Sequence, residues 1–312
     1  KMGGNIVGSS FEHPATRSAA KYWAAQTKRQ YINVQHDDTL GHVTAEHYSN
    51  IVTPDTRVVT ILHASPVTGI SVDLKKISEA VRSISPDALI IVDGVQYAAH
   101  GGIKIDDYDI DGYAISPYKM YSRHGYGFAW VSDRLTQMQH EQLLDGPGEN
   151  WELGTRDTGS YATLSDVVEY LEWLGEKVES TNNRTKKLTN AAKAIAAQET
   201  SLTELMINGE DNIKGLKDLE GIEIIGGEKN PNRKGLVSFR IVGSQSQEIV
   251  DFLNVNGIRT HVRKADHYSG NILNPLGWED CVRVSVCHYN SSEEIKSLLL
   301  ALNEFQLKLP TN

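Results

Sequence analysis

Two cysteines in 312 residues are too few for a disulfide framework or a four-ligand zinc site, and Cys281 and Cys287 stand six apart on what reads as a strand and its end. Sparse thiols fit a reducing compartment, so the expected location is the cytoplasm. An excess of basic residues is also lacking. The formal net charge of −9 argues against a polyanionic partner, because nucleic-acid binding rests on clustered Lys and Arg. No run approaches the ~18 apolar residues that a membrane span requires, so no membrane span is expected. Residues 1–5 show no signal-peptide order of basic, apolar and cleavage segments. Internal repeats and low-complexity tracts are absent too. His261 and His267 flank Asp266 at a spacing that no ordinary zinc site uses, so no metal is expected.

What is present is the balance of a globular protein, 39% hydrophobic and 23% charged, with enough length for two domains. The first half alternates β-branched runs with amphipathic stretches, the pattern of βαβ units around a mostly parallel sheet. Strands are predicted at 57–62, 88–92, 112–115 and 127–131. Helical spacing of Leu74, Ile77, Ala80 and Val81 predicts a helix over 73–83. The unbroken run Leu89, Ile90, Ile91, Val92 predicts a central strand buried on both faces. From 161 to about 197 the chain reads as one long helix with an apolar stripe of Val167, Val168, Leu171, Leu174 and Val178. Strands near 222–225, 235–241 and 281–286, a helix over 247–254 and a last helix over 292–305 then form a smaller α+β domain. That last helix opens on Ser291 with Glu293 and Glu294 in its first turn. The predicted division is a large domain over 1–178, then a connector helix and small domain over 179–312.

Chemistry concentrates at two strand ends. Asp93 follows the buried run and precedes Gly94, with Gln96 close behind. Ligands of open α/β sheets bind beyond the carboxyl ends of strands, although an aspartate there can also simply cap the next helix. The next strand ends in Ser116-Pro117-Tyr118-Lys119, followed by Gly125 and Gly127. Most lysines are solvated surface groups. A lysine one strand away from an acid can instead form a Schiff base with an aldehyde cofactor, while the acid keeps a pyridine nitrogen protonated.

The string Val92-Asp93-Gly94-Val95-Gln96, the spacing to Ser116-Pro117-Tyr118-Lys119 and the following Gly125-Tyr126-Gly127 resemble the cofactor core of the class V aminotransferase and cysteine-desulfurase-like superfamily. The resemblance runs from about Gly4 to the C-terminus. It implies an α/β protein of the fold type I pyridoxal-5′-phosphate (PLP) transferases, with a mostly parallel large-domain sheet and a smaller α+β C-terminal domain. By that resemblance Lys119 carries PLP, Asp93 pairs with its pyridine nitrogen and Gln96 bonds its phenolic oxygen. His13, in Phe11-Glu12-His13-Pro14-Ala15, matches the histidine that stacks on the ring, and Ser116 and Tyr118 would contact the phosphate. Thr155, in Trp151-Glu152-Leu153-Gly154-Thr155-Arg156, matches a loop that reaches the phosphate of a neighbouring subunit, which implies a homodimer with shared active sites. Arg283 matches the arginine that binds the substrate α-carboxylate, with Arg263 and Tyr268 beside the substrate.

Three departures shape the expected reaction. Tyr268 stands about where desulfurases carry the sulfur-accepting cysteine, and tyrosine cannot hold a persulfide. Pro66 replaces an asparagine, leaving Ser65 or Thr68 to substitute for its amide. The arm, first strand and phosphate-holding loop that open family members do not precede Lys1, so the N-terminal part of the domain is expected to be missing from this sequence. Together these point to a PLP enzyme acting on an amino acid by C–S lysis or another β-elimination. The same first proton transfer also serves an epimerase or racemase, a cysteine desulfurase or an aminotransferase. A non-catalytic PLP-fold binding subunit is the remote alternative, and both Lys119 and Asp93 speak against it.

Overall fold

The computed structural model describes residues 3–36, 42–148 and 151–308. Its larger sheet is built from β1 (Asn5–Ser9), β2 (Gln30–Val34), β3 (Thr56–Leu62), β4 (Leu89–Asp93), β5 (Gly112–Ile115) and β6 (Phe128–Val131) in the spatial order β2-β1-β3-β4-β5-β6. All neighbours are parallel except β5 and β6. Parallel neighbours need crossovers, supplied here by α1 (Pro14–Gln26), α2 (Ala45–Ser49) and α3 (Leu74–Ile84). Each helix start is written in the sequence. Pro14 sits in the first turn of α1, and the side chains of Thr44 and Asp73 cap α2 and α3 by accepting backbone N–H groups.

Val7, Val59, Ile61, Ile90 and Val92 form the sheet's side of the core, against Leu74, Ile77 and Val81 of α3. β4 is central, as its apolar run predicted, yet only Ile90 and Val92 are fully buried while the alternate residues are partly exposed. One face of this strand is therefore less covered than the unbroken run suggested. β1 and β2 were not anticipated. β1 is buried along its whole length, and β2 is an edge strand with only Val34 buried.

After α4 (Asp133–Thr136) the chain forms α5 (Thr158–Val178) and α6 (Arg184–Asn208). The sequence predicted one helix here; the polar tract 179–183 breaks it, and Asn183 caps α6 by accepting the Lys186 N–H at 2.9 Å. A short hairpin of β7 (Gly209–Glu210) and β8 (Ile213–Lys214) follows. The smaller sheet then orders β9 (Ile222–Ile224), β10 (Leu236–Ile241), β11 (His261–Lys264) and β12 (Asp280–Ser285) as β11-β12-β10-β9, antiparallel throughout. Helices α7 (Ser246–Val255) and α9 (Ser292–Leu307), with α6, close its core around Phe239, Ile249, Leu253 and Leu299. Helix α8 (Gly270–Leu273) lies between β11 and β12 in the chain. Residues 261–264, for which no strand was predicted, are thus an edge strand. Among the described residues no helix is long and apolar enough to cross a membrane.

Helices α5 and α6 approach so closely at Gly175 that a Cβ there would overlap the carbonyl oxygen of Lys187. Gly175→Val should destabilise the fold by about 1–3 kcal/mol through overpacking. Urea unfolding checks this, and an unchanged midpoint would show that the helix pair yields freely.

Candidate active site

The site grows from the carboxyl ends of β4 and β5. Asp93 is the last residue of β4, lying across from Ala114 of β5. Its Oδ1 accepts the Val95 N–H at 3.0 Å and its Oδ2 the Thr16 hydroxyl at 3.4 Å, so the carboxylate is held by its own turn and by α1. Beyond β5 the chain makes a 3₁₀ turn over Pro117–Met120 that carries Lys119 and ends at Tyr121 in the left-handed region, φ 71°. The Lys119 amine donates to Gln96 Oε1 at 3.0 Å. Burial is the main cause that lowers the Lys119 pKa, with Arg283 and Arg263 adding to it and Asp93 opposing it.

His13 joins this group from the N-terminus of α1, where its Nδ1 accepts the Ala15 N–H at 3.2 Å. Burial lowers its pKa, and the charges of Asp93, Lys119 and Arg263 all act on it. Its ring lies 6.4 Å from that of Tyr268, centroid to centroid, at 51°. Arg263 on β11 and Arg283 on β12 come from the smaller sheet. Arg283 donates to the Pro66 carbonyl at 3.0 Å. The Nε of both arginines is buried without a hydrogen-bond partner, and no carboxylate pairs with either among the described residues. Planar guanidinium groups of this kind suit a carboxylate ligand.

The other predicted positions are more loosely placed. Tyr118 stacks on His124 with centroids 4.3 Å apart, and its ring is substantially exposed. The Ser116 side chain caps nothing at the start of the 3₁₀ turn. Tyr268 is exposed in the turn after β11, and Thr155 is exposed in an irregular segment. Among the described residues no hydrogen bond joins Thr155 to the Lys119 group within one chain. Ser65 and Thr68, the residues expected to substitute for the missing asparagine, are both sealed from solvent, and their oxygens accept N–H groups of their own loop. A cavity of about 430 Å³ has Arg263 and Tyr268 in its wall but is lined by residues 247–269 alone, so it adjoins the Lys119 group without including it. Among the described residues no cluster of His, Cys, Asp or Glu is arranged for a metal. Thr16, His100 and Glu199 were not singled out from sequence. Each contacts a predicted residue or its partner, and only the His100 spacing to Gln96 was local enough to have been seen.

The Aminotransferase class-V family model matches residues 1–298. A probable cysteine desulfurase of Xylella fastidiosa is 26% identical, with 97% of this chain and 69% of that protein covered. A cysteine desulfurase of Synechococcus elongatus is also 26% identical, over 98% of this chain and 47% of its own length. The chain thus spans between about half and about 70% of these relatives. Among solved structures, the apo cysteine desulfurase of Thermococcus onnurineus superimposes with a TM-score of 0.81 at 21% identity, covering 99% of this chain and 74% of that one. The cystine C–S lyase C-DES, solved with cysteine persulfide, gives 0.72 at 20% identity, covering 96% and 75%. The chain belongs to the class V aminotransferase family and has its PLP-transferase fold. It is a PLP-dependent enzyme of that family.

Beside His13, Glu12 is buried, with Oε1 accepting the Leu62 N–H at 3.1 Å and Oε2 unpartnered. Burial, then the charge of Asp93, pushes its carboxyl up to about 8 from the ordinary 4.5. Between those values the folded state binds more protons than the unfolded one, so stability falls as pH rises from about 4.5 through about 8. Glu12→Gln removes the ionisation and should gain stability over the wild type as pH rises through this window. Urea unfolding at both ends of it checks the sign; an advantage that shrinks with rising pH would contradict a neutral Glu12.

Proposed function

We propose that the chain removes sulfur, or another β-substituent, from an amino acid as a PLP-dependent lyase. In this reading residues 1–178 are the cofactor-binding domain and 179–312 the connector and small domain. Lys119 carries the cofactor, Asp93 faces its pyridine nitrogen, Gln96 its phenolic oxygen and His13 its ring face. Ser116, Tyr118 and the Thr155 of a second copy hold the phosphate in a cytoplasmic homodimer, and Arg283 takes the substrate carboxylate beside Arg263 and Tyr268.

The residues fit the cofactor: a half-buried amine of lowered pKa stands one strand from a carboxylate, and two half-buried arginines without carboxylate partners among the described residues lie on the smaller sheet. When bound, PLP supplies an electron sink for charge developing at the substrate Cα. Lys119, half-buried and below its ordinary pKa, is the group suited to move the Cα proton. Arg283 orients the carboxylate, and its hold on the Pro66 carbonyl fixes the direction of approach.

The observation that carries elimination over sulfur relay is the state of the thiols. Cys281 is fully buried on β12, and burial pushes its thiol up to about 12. Cys287 is raised by burial as well. Neither presents a thiolate, the form that attacks sulfur, and Tyr268 occupies the exposed turn. The C–S lyase neighbour supports this reading, while the names of the curated relatives favour desulfuration. Screening cysteine, cystine and β-substituted amino acids separates them. Pyruvate as product, retained by Cys281→Ser and Cys287→Ser, supports the lyase; alanine with a trapped protein persulfide overturns it, as does α-proton exchange without product. Asp93→Asn should keep the fold and lose at least about 10²-fold in rate, and near-normal turnover would remove Asp93 from its assigned place.

A further inference from the structure

A chain of hydrogen bonds runs from half-buried Lys119 and Gln96 back to buried His100 and Glu199. The lysine amine donates to Gln96 Oε1 at 3.0 Å, Gln96 Nε2 meets His100 Nε2 at 2.9 Å, and His100 Nδ1 lies 2.9 Å from both carboxylate oxygens of Glu199. Glu199 is 2% exposed and His100 5%. The carboxylate comes from α6, nearly a hundred residues further along the chain, and its Oε2 also accepts the Gly235 N–H at 3.3 Å. Gly235 admits it: a Cβ there would stand 2.8 Å from the Glu199 carboxyl carbon.

The chemistry of the partners gives this chain one direction. An amide nitrogen only donates, so His100 Nε2 must accept and be bare. The ring proton then sits on Nδ1, where the Glu199 carboxylate accepts it; the bond made by one ring nitrogen sets the state of the other. With its NH₂ end committed to His100, Gln96 presents its carbonyl to Lys119. Were the amide turned over, its NH₂ could donate only to the lone pair of a neutral Lys119, the same lone pair that must attack an aldehyde. A neutral amine that donates one hydrogen to a fixed carbonyl has its lone pair aimed away from that carbonyl, and a lone pair is what must attack an aldehyde.

We propose that His100, held by Glu199, is a positioning residue for Lys119 that fixes the Gln96 amide with its carbonyl toward the amine. This rests on the reading of Lys119 as the cofactor lysine, but its first test does not. Full-length protein without added cofactor, labelled with ¹⁵N in histidine, should show His100 with Nδ1 protonated and Nε2 bare, assigned by the loss of its signals in His100→Gln. Glu199→Gln, nearly isosteric, should disturb that pattern, because its NH₂ must face either the Gly235 N–H or the His100 Nδ1–H. A proton on Nε2 of the wild-type ring, or no change in Glu199→Gln, would overturn the proposal.

The second test follows capture of PLP by borohydride labelling at Lys119. His100→Phe keeps ring bulk but has no acceptor for Gln96 and should slow capture by up to about tenfold, the upper end of the scale of an ordinary hydrogen bond. His100→Gln returns an acceptor and should recover most of the rate. Wild-type capture by a folded His100→Phe, or equal loss in both variants, would contradict positioning. Should His100→Phe fail to fold, the tautomer in wild type and Glu199→Gln decides. If PLP does not label Lys119 even in wild type, the cofactor reading fails, and the ring's protonation still decides whether Glu199 and His100 orient Gln96.

Discussion

The register of β4 against β5 is the constraint on which the rest of the site depends. Asp93 lies across from Ala114, and the Gly94 N–H is bonded to the Ala114 carbonyl at 2.9 Å, so the two strands leave the sheet together. Gly94 has to be glycine because the Tyr113 ring fills the place a Cβ would take. That ring is itself fixed from below: its hydroxyl meets His63 Nδ1 at 2.8 Å, and His63 stacks on Tyr97 at 3.5 Å. A slip of one residue would turn Asp93 to the opposite face of the sheet and separate it from Lys119. The aromatic floor under the loop is what makes such a slip expensive.

Charge is distributed around that pair in a way that favours an anionic ligand. Lys119, Arg263 and Arg283 act on one another's surroundings, while Asp93 is the carboxylate whose charge reaches Lys119 and His13. Glu12 could have supplied a second negative charge, but its burial keeps it neutral near pH 7. Two partly buried guanidinium groups without carboxylate partners among the described residues leave positive charge uncompensated on the smaller sheet.

The central strands, the order of the two sheets along the chain and the acid–lysine pair were legible in the sequence, because buried strands with a dense run such as Leu89–Val92 carry a strong local signal. β1 is buried along its length but only five residues long, and β2 shows little apolar bias, so neither stood out. β11 was not predicted because its sequence, His261-Val262-Arg263-Lys264, is polar and becomes a strand only by pairing with β12. The break between α5 and α6 was visible as a polar tract ending in the Asn183 cap, and the apolar stripe on either side obscured it. Of the site, Lys119, Asp93, Gln96, His13 and the two arginines come together as their motifs suggested. Glu199 could not be found this way, since nothing local to α6 points to a histidine nearly a hundred residues earlier.

The most direct test of the central assignment is borohydride reduction of the full-length protein loaded with PLP, followed by peptide mapping. The pyridoxyl group should be found on Lys119, the amine that Gln96 holds and that Asp93 stabilises from the neighbouring strand end. Labelling confined to any other lysine would contradict it.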